Sequence, residues 1–106
     1  MGAVERRATV DGDVTLAYAE QGPDGPVAAV FLPGWPDPWR SFELVMAQLP
    51  AEVRALALSH RGCGDSDRPA AGFGPRDLAA DAIGFMDVTG VLSAVLVGHS
   101  LGAFVT

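Results

Sequence analysis

The chain has 106 residues, 49% apolar and 19% charged, a composition of globular rather than disordered segments. Its formal net charge is −6, and its seven basic residues are all arginines scattered from Arg6 to Arg76. With no basic cluster, nucleic acid and anionic membrane surfaces are not expected partners. A single cysteine, Cys63, excludes an internal disulfide and a cysteine-based metal site, and neither metal nor cofactor is expected.

Residues 8–10 and 14–18 flank Asp11-Gly12, a strong hairpin signal, and predict two antiparallel strands. Gly22-Pro23-Asp24-Gly25-Pro26 then breaks the chain. The run 27–32 (VAAVFL) is short and continuously apolar, as a strand buried on both faces requires. Phe42, Val45, Met46 and Leu49 follow the i, i+3, i+4, i+7 spacing of a helix, with Asp37 or Ser41 as its expected cap. Pro50 stops it. Residues 53–58 (VRALAL) form the next expected strand, and 59–75 are rich in turn residues. Leu78, Ala82, Phe85 and Met86 predict a second amphipathic helix ending near Gly90. Residues 94–97 (AVLV) read as a final buried strand, and 101–106 as the opening of a helix.

A hairpin followed by strand–helix–strand–helix–strand is an α/β pattern. It implies a mostly parallel sheet with an N-terminal antiparallel hairpin and helices on both faces. The last strand has no crossover of its own, so residues 1–106 are expected to be the N-terminal part of one larger domain, with AVLV left in this chain as an open, hydrophobic sheet edge. Residues 1–10 contain no long apolar run, and no stretch approaches the roughly 18 residues of a membrane span. The expected location is the cytoplasm.

The strongest chemical signal is Gly98-His99-Ser100-Leu101-Gly102. G-x-S-x-G between a strand and a helix places the serine on a sharp turn that only small flanking residues allow. Two further motifs each follow an expected strand: Leu32-Pro33-Gly34-Trp35-Pro36-Asp37-Pro38, and Ser59-His60-Arg61-Gly62-Cys63-Gly64-Asp65-Ser66. In this order the three resemble the oxyanion loop, the Arg-Gly-x-Gly-x-Ser turn and the nucleophile elbow of α/β-hydrolases. The likeness is to the esterase, cofactor-free haloperoxidase and epoxide-hydrolase type, and it covers nearly the whole chain.

That resemblance implies that the strand before Trp35 neighbours the strand before Ser100, with 53–58 on the far side. It implies Ser100 as nucleophile, the backbone N–H groups of Trp35 and Leu101 as oxyanion hole, and Gly34, Gly98 and Gly102 as the small residues that shape loop and elbow. Pro33 departs from the family, which usually has His there. A serine at the elbow favours an acyl-enzyme over the alkyl-enzyme of an Asp nucleophile. The expected substrate is a small ester or related acyl compound, with a peracid-forming haloperoxidase reaction as the alternative at the same site.

His99 is expected to point away from Ser100, and His60 to stand two strands from it in a structural role. Asp65 and Asp67 read as solvated turn carboxylates, Arg61 as a pin for its own turn, and Cys63 as a loop thiol. Trp39 is equally suited to the acyl pocket or the core. The family's base and acid follow the elbow, so residues 1–106 alone are expected to be inactive. A non-catalytic remnant or interaction module is the alternative. Substrate identity and oligomeric state are not legible.

Overall fold

Strands β1 (Val4–Val10) and β2 (Val14–Gln21) pair antiparallel, from Val4 opposite Glu20 to Val10 opposite Val14. Both run longer than the hydrophobic pattern suggests, because backbone pairing recruits polar residues whose side chains stay partly in water. The computed structural model describes residues 2–10 and 14–106, so the expected Asp11-Gly12 turn lies outside the described residues.

β3 (Val27–Leu32), β4 (Ala55–Leu58) and β5 (Ser93–Gly98) complete a five-stranded sheet in the order β1-β2-β4-β3-β5. β4 is antiparallel to β2 and parallel to β3, which is parallel to β5. The chain steps one way from β3 to β4 and back across β3 to reach β5. Right-handed crossovers then require helices on opposite faces. A 3-10 turn (Trp39–Phe42) running into α1 (Glu43–Ala47) covers one face, where Trp39, Phe42 and Met46 pack on Ala19, Phe31, Ala55 and Ala57. Helix α2 (Pro75–Thr89) covers the other, placing Ala82 and Phe85 over Leu16, Tyr18, Val30, Leu56 and Leu58.

Local chemistry sets the ends of α2. Pro75 occupies its first turn, the Asp77 carboxylate accepts the Gly74 N–H at 3.0 Å, and Gly90 closes it in the left-handed conformation at φ 75°. Arg54, buried, holds the far end by donating to the Thr89 and Gly25 carbonyls and to Glu20 of β2.

Two expectations need correction, those for the first helix and for Arg61. The helix over 42–49 is shorter and opens as a 3-10 turn, capped from outside: the Trp39 N–H donates to Ser59 Oγ at 2.8 Å, and neither Asp37 nor Ser41 caps. β5, by contrast, is the open sheet edge expected of it: among the described residues it pairs with β3 alone, and Val95 is 65% exposed. Arg61 pins more than its own turn: Nε and Nη2 each reach the fully buried Asp81 carboxylate of α2 at 2.7 Å, and Nη1 reaches the Gly72 carbonyl at 3.0 Å. Cys63 is the expected loop thiol; it is buried, and burial pushes its pKa up.

His60 follows β4 and is completely buried, with no partner for either ring nitrogen among the described residues. Loss of water lowers its pKa from 6.5; the nearby Pro33 carbonyl and the Asp81 carboxylate act in the opposite sense and more weakly. The folded protein therefore keeps His60 neutral where an unfolded chain already takes up a proton. Stability contributed by this site is full above pH 6.5 and falls as pH drops toward the lowered folded value. Urea titrations of wild type and His60→Leu between pH 7.5 and about 5 should show wild type losing stability more steeply. Parallel curves would contradict the burial of a neutral imidazole.

Candidate active site

Gly98 ends β5, and α3 (Leu101–Val105) begins three residues on. The chain makes that corner by placing Ser100 at φ 56°, ψ −117°, the one non-glycine residue at positive φ among those described. Such a conformation costs a side-chain-bearing residue about 1–3 kcal/mol and persists only where its surroundings enforce it. Here the enforcing contacts are backbone against backbone. A Cβ on Gly102 would lie 2.0 Å from the Leu32 carbonyl oxygen, and one on Gly98 would lie 2.5 Å from the Gly102 oxygen. The His99 N–H donates to the Leu32 carbonyl at 3.1 Å and the Gly102 N–H to the His99 carbonyl at 2.9 Å, which ties the corner to the end of β3.

The loop leaving β3 meets this corner directly. Pro33 and Gly34 are buried, and a Cβ on Gly34 would fall 3.2 Å from the Ser100 Cβ. The Asp37 N–H closes a tight turn onto the Gly34 carbonyl at 2.9 Å, with the Trp35–Pro36 bond cis. Within this arrangement the Trp35 and Leu101 N–H groups donate no hydrogen bond among the described residues. An exposed hydroxyl beside two uncommitted backbone donors is what acyl transfer asks of a scaffold: a nucleophile, and donors for the charge that develops on the attacked oxygen.

The strand order puts this junction where successive crossovers leave in opposite directions, the usual ligand site of an open α/β sheet. The expected neighbours, β3 and β5, are adjacent, with Phe31 opposite Val97 and Leu32 opposite Gly98. His60 lies behind this surface, two strands away and buried. His99 stands beside the Gly34 loop. Its ring is exposed beside Gly34, with Nδ1 3.5 Å from the point a Gly34 Cβ would occupy. Asp65 is exposed, whereas Asp67 is structural: it accepts the Thr15 N–H at 2.8 Å and faces Arg7. Trp39 belongs to the core, its indole N–H bound to Glu5 at 2.7 Å.

Trp35 is 44% exposed, and its ring meets Phe73 edge to face with centroids 5.7 Å apart. The turn signal over 59–75 conceals that partner, because Phe73 belongs to no periodic pattern. A cleft of about 510 Å³ opens at the opposite end of the sheet, between Arg6, Gln21, Met46 and Val53, and contains none of the motif residues. Among the described residues no three His, Cys, Asp or Glu side chains are grouped to hold a metal ion, and no helix is long and apolar enough to cross a membrane.

Residues 29–106 match the profile of the alpha/beta hydrolase family. The chain is 36% identical over 100 residues to 2-(acetamidomethylene)succinate hydrolase of Mesorhizobium japonicum, covering 94% of this chain and 35% of that protein. It is 32% identical to a soluble epoxide hydrolase of Corynebacterium sp., covering 85% of this chain and 31% of that one. The crystal structure of Cfl2 from Burkholderia cenocepacia superposes with a TM-score of 0.89 at 34% identity, over 99% of this chain and 35% of that one. The chain thus spans about a third of the length of the relatives it matches.

The elbow packing yields a direct test. Gly102→Ala drives a methyl into the Leu32 carbonyl and should lower stability by about 3 kcal/mol or more in denaturant titration, because backbone cannot yield as a side chain does. Gly25→Ala, which meets nothing within 4 Å, should change stability by less than about 1 kcal/mol. Equal effects would refute the close approach of α3 to β3.

Proposed function

The chain belongs to the alpha/beta hydrolase family, and on that premise we propose that Ser100 is the nucleophile of a serine hydrolase acting on an ester or related acyl substrate. One observation carries the reading: a serine held at φ 56° against the Gly34–Trp35 loop, beside two backbone N–H groups with no other partner among the described residues. Ser100 Oγ attacks the acyl carbon, and the Trp35 and Leu101 N–H groups hold the oxygen that becomes negative. The leaving group departs with a proton, and water then cleaves the acyl-enzyme. The route asks for no cofactor. The proton acceptor is assigned to residues beyond Thr106 of a longer domain, of which this chain is the N-terminal part; His60, buried at the end of β4 two strands from β5, is not given that role.

The nature of the nucleophile separates this reading from epoxide opening. Epoxide hydrolases use an aspartate, whose attack leaves an ester that water can cleave. Attack by a serine would leave an ether, which water does not cleave under the same conditions, and turnover would stop. A relative named for hydrolysis of an acetamido compound fits acyl chemistry better.

Ser100→Ala in the full-length protein should lower hydrolysis of a short activated ester by at least about 10³-fold and abolish labelling by a fluorophosphonate. Undiminished turnover would overturn the assignment.

A further inference from the structure

We propose that Phe73 and Gly62 are positioning residues for the oxyanion donor of Trp35, which makes the segment between β4 and α2 a working part of the site. This inference rests on the serine-hydrolase reading and extends it to residues that act through Trp35.

The reasoning starts from what holds Trp35. Its backbone N–H has no partner among the described residues, its side chain is 44% exposed, and the residue before it is a glycine. Within the loop, the hydrogen bond that holds the Gly34–Trp35 peptide among the described residues is the one from the Asp37 N–H to the Gly34 carbonyl. The ring supplies a second constraint. Phe73 meets it edge to face at 67°, a geometry in which the positive ring edge faces the π cloud. Gly62 forms the floor: a Cβ there would lie 3.1 Å from Trp35 Cη2 and 2.8 Å from Phe73 Cε1. The missing side chain makes room for both rings at once, and φ 79° makes the position costly for any other residue.

The cradle is itself anchored. Gly62 donates its N–H to the Asp67 carbonyl at 2.7 Å, and its own carbonyl accepts from Arg68. Phe73 stands between two tied residues. The carbonyl of Gly72 accepts from Arg61, whose other nitrogens grip Asp81 of α2, and Gly74 opens α2 under the Asp77 carboxylate. A continuous set of contacts therefore runs from the buried Asp81 through Arg61, Gly72 and Phe73 to Trp35. An oxyanion donor must sit within about 0.4 Å of its working distance, and an error near 1 Å costs on the order of 10²-fold in rate.

The test uses the full-length protein, with active sites counted by stoichiometric reaction of Ser100 with a fluorophosphonate, so that misfolded molecules do not enter kcat. Phe73→Ala should lower kcat per site about 10-fold with KM changed by less than about 2-fold. Phe73→Leu, which keeps the bulk but loses the ring, should fall with it, and Phe73→Tyr should restore wild-type kcat. Gly62→Ala should also lower kcat. Wild-type kcat in both Phe73→Ala and Phe73→Leu would overturn the proposal, as would a loss confined to KM. If wild type is active but Ser100 does not react, the serine reading fails and takes this one with it. A reactive Ser100 with an indifferent Phe73 sinks this one alone.

Discussion

The contact between the Gly102 backbone and the Leu32 carbonyl oxygen governs the rest of the site. A side chain at Gly102 would leave only 2.0 Å to that oxygen, so glycine alone lets α3 begin directly against the end of β3. Once α3 is there, the chain has two residues in which to turn from strand to helix, and Ser100 must take a positive φ. The same contact brings the Gly34 loop within van der Waals reach of Ser100. Strain in the serine, closeness of the loop and exposure of the hydroxyl are thus three results of one steric fact. The strain is sustained because the parallel pairing of β3 and β5 over-determines the geometry.

Two arginines hold the frame around this junction. Arg54 gathers β2, the loop before β3 and the carboxyl end of α2, where its guanidinium meets the Thr89 carbonyl at the negative end of the helix. Arg61 joins the turn after β4 to the middle of α2 through a carboxylate that has no exposure to water. Burying such a pair brings little net stability, because desolvation offsets most of the attraction. Its value lies in direction. A planar guanidinium with two parallel bonds to one carboxylate and a third to a carbonyl fixes the relative placement of three segments. One of them carries Phe73.

What the sequence makes legible follows from how local each cause is. VAAVFL declares a strand buried on both faces, Gly90 the end of α2, and Gly98-x-Ser100-x-Gly102 the corner, because each is a short-range consequence of side-chain size or polarity. The adjacency of β3 and β5 is legible only through family resemblance, and it is what the sheet has. Causes that act across the chain are hidden. Nothing near residue 39 announces that Ser59 will cap its turn, and nothing near Arg61 points to Asp81, 20 residues on. The open edge of β5 is not of that kind: AVLV has the composition of a central strand, and the lack of a following crossover already implies the one unpaired edge found among the described residues.

The central claim is that Ser100, Trp35 and Leu101 form one acyl-transfer site. The most direct measurement is a crystal structure of the full-length protein after reaction with a small fluorophosphonate, whose tetrahedral phosphorus stands in for the attacked acyl carbon. The account predicts phosphorus bonded to Ser100 Oγ and its non-ester oxygen about 2.7–3.1 Å from both the Trp35 and Leu101 nitrogens. A phosphonyl oxygen turned to solvent, or an adduct on any other residue, would contradict it.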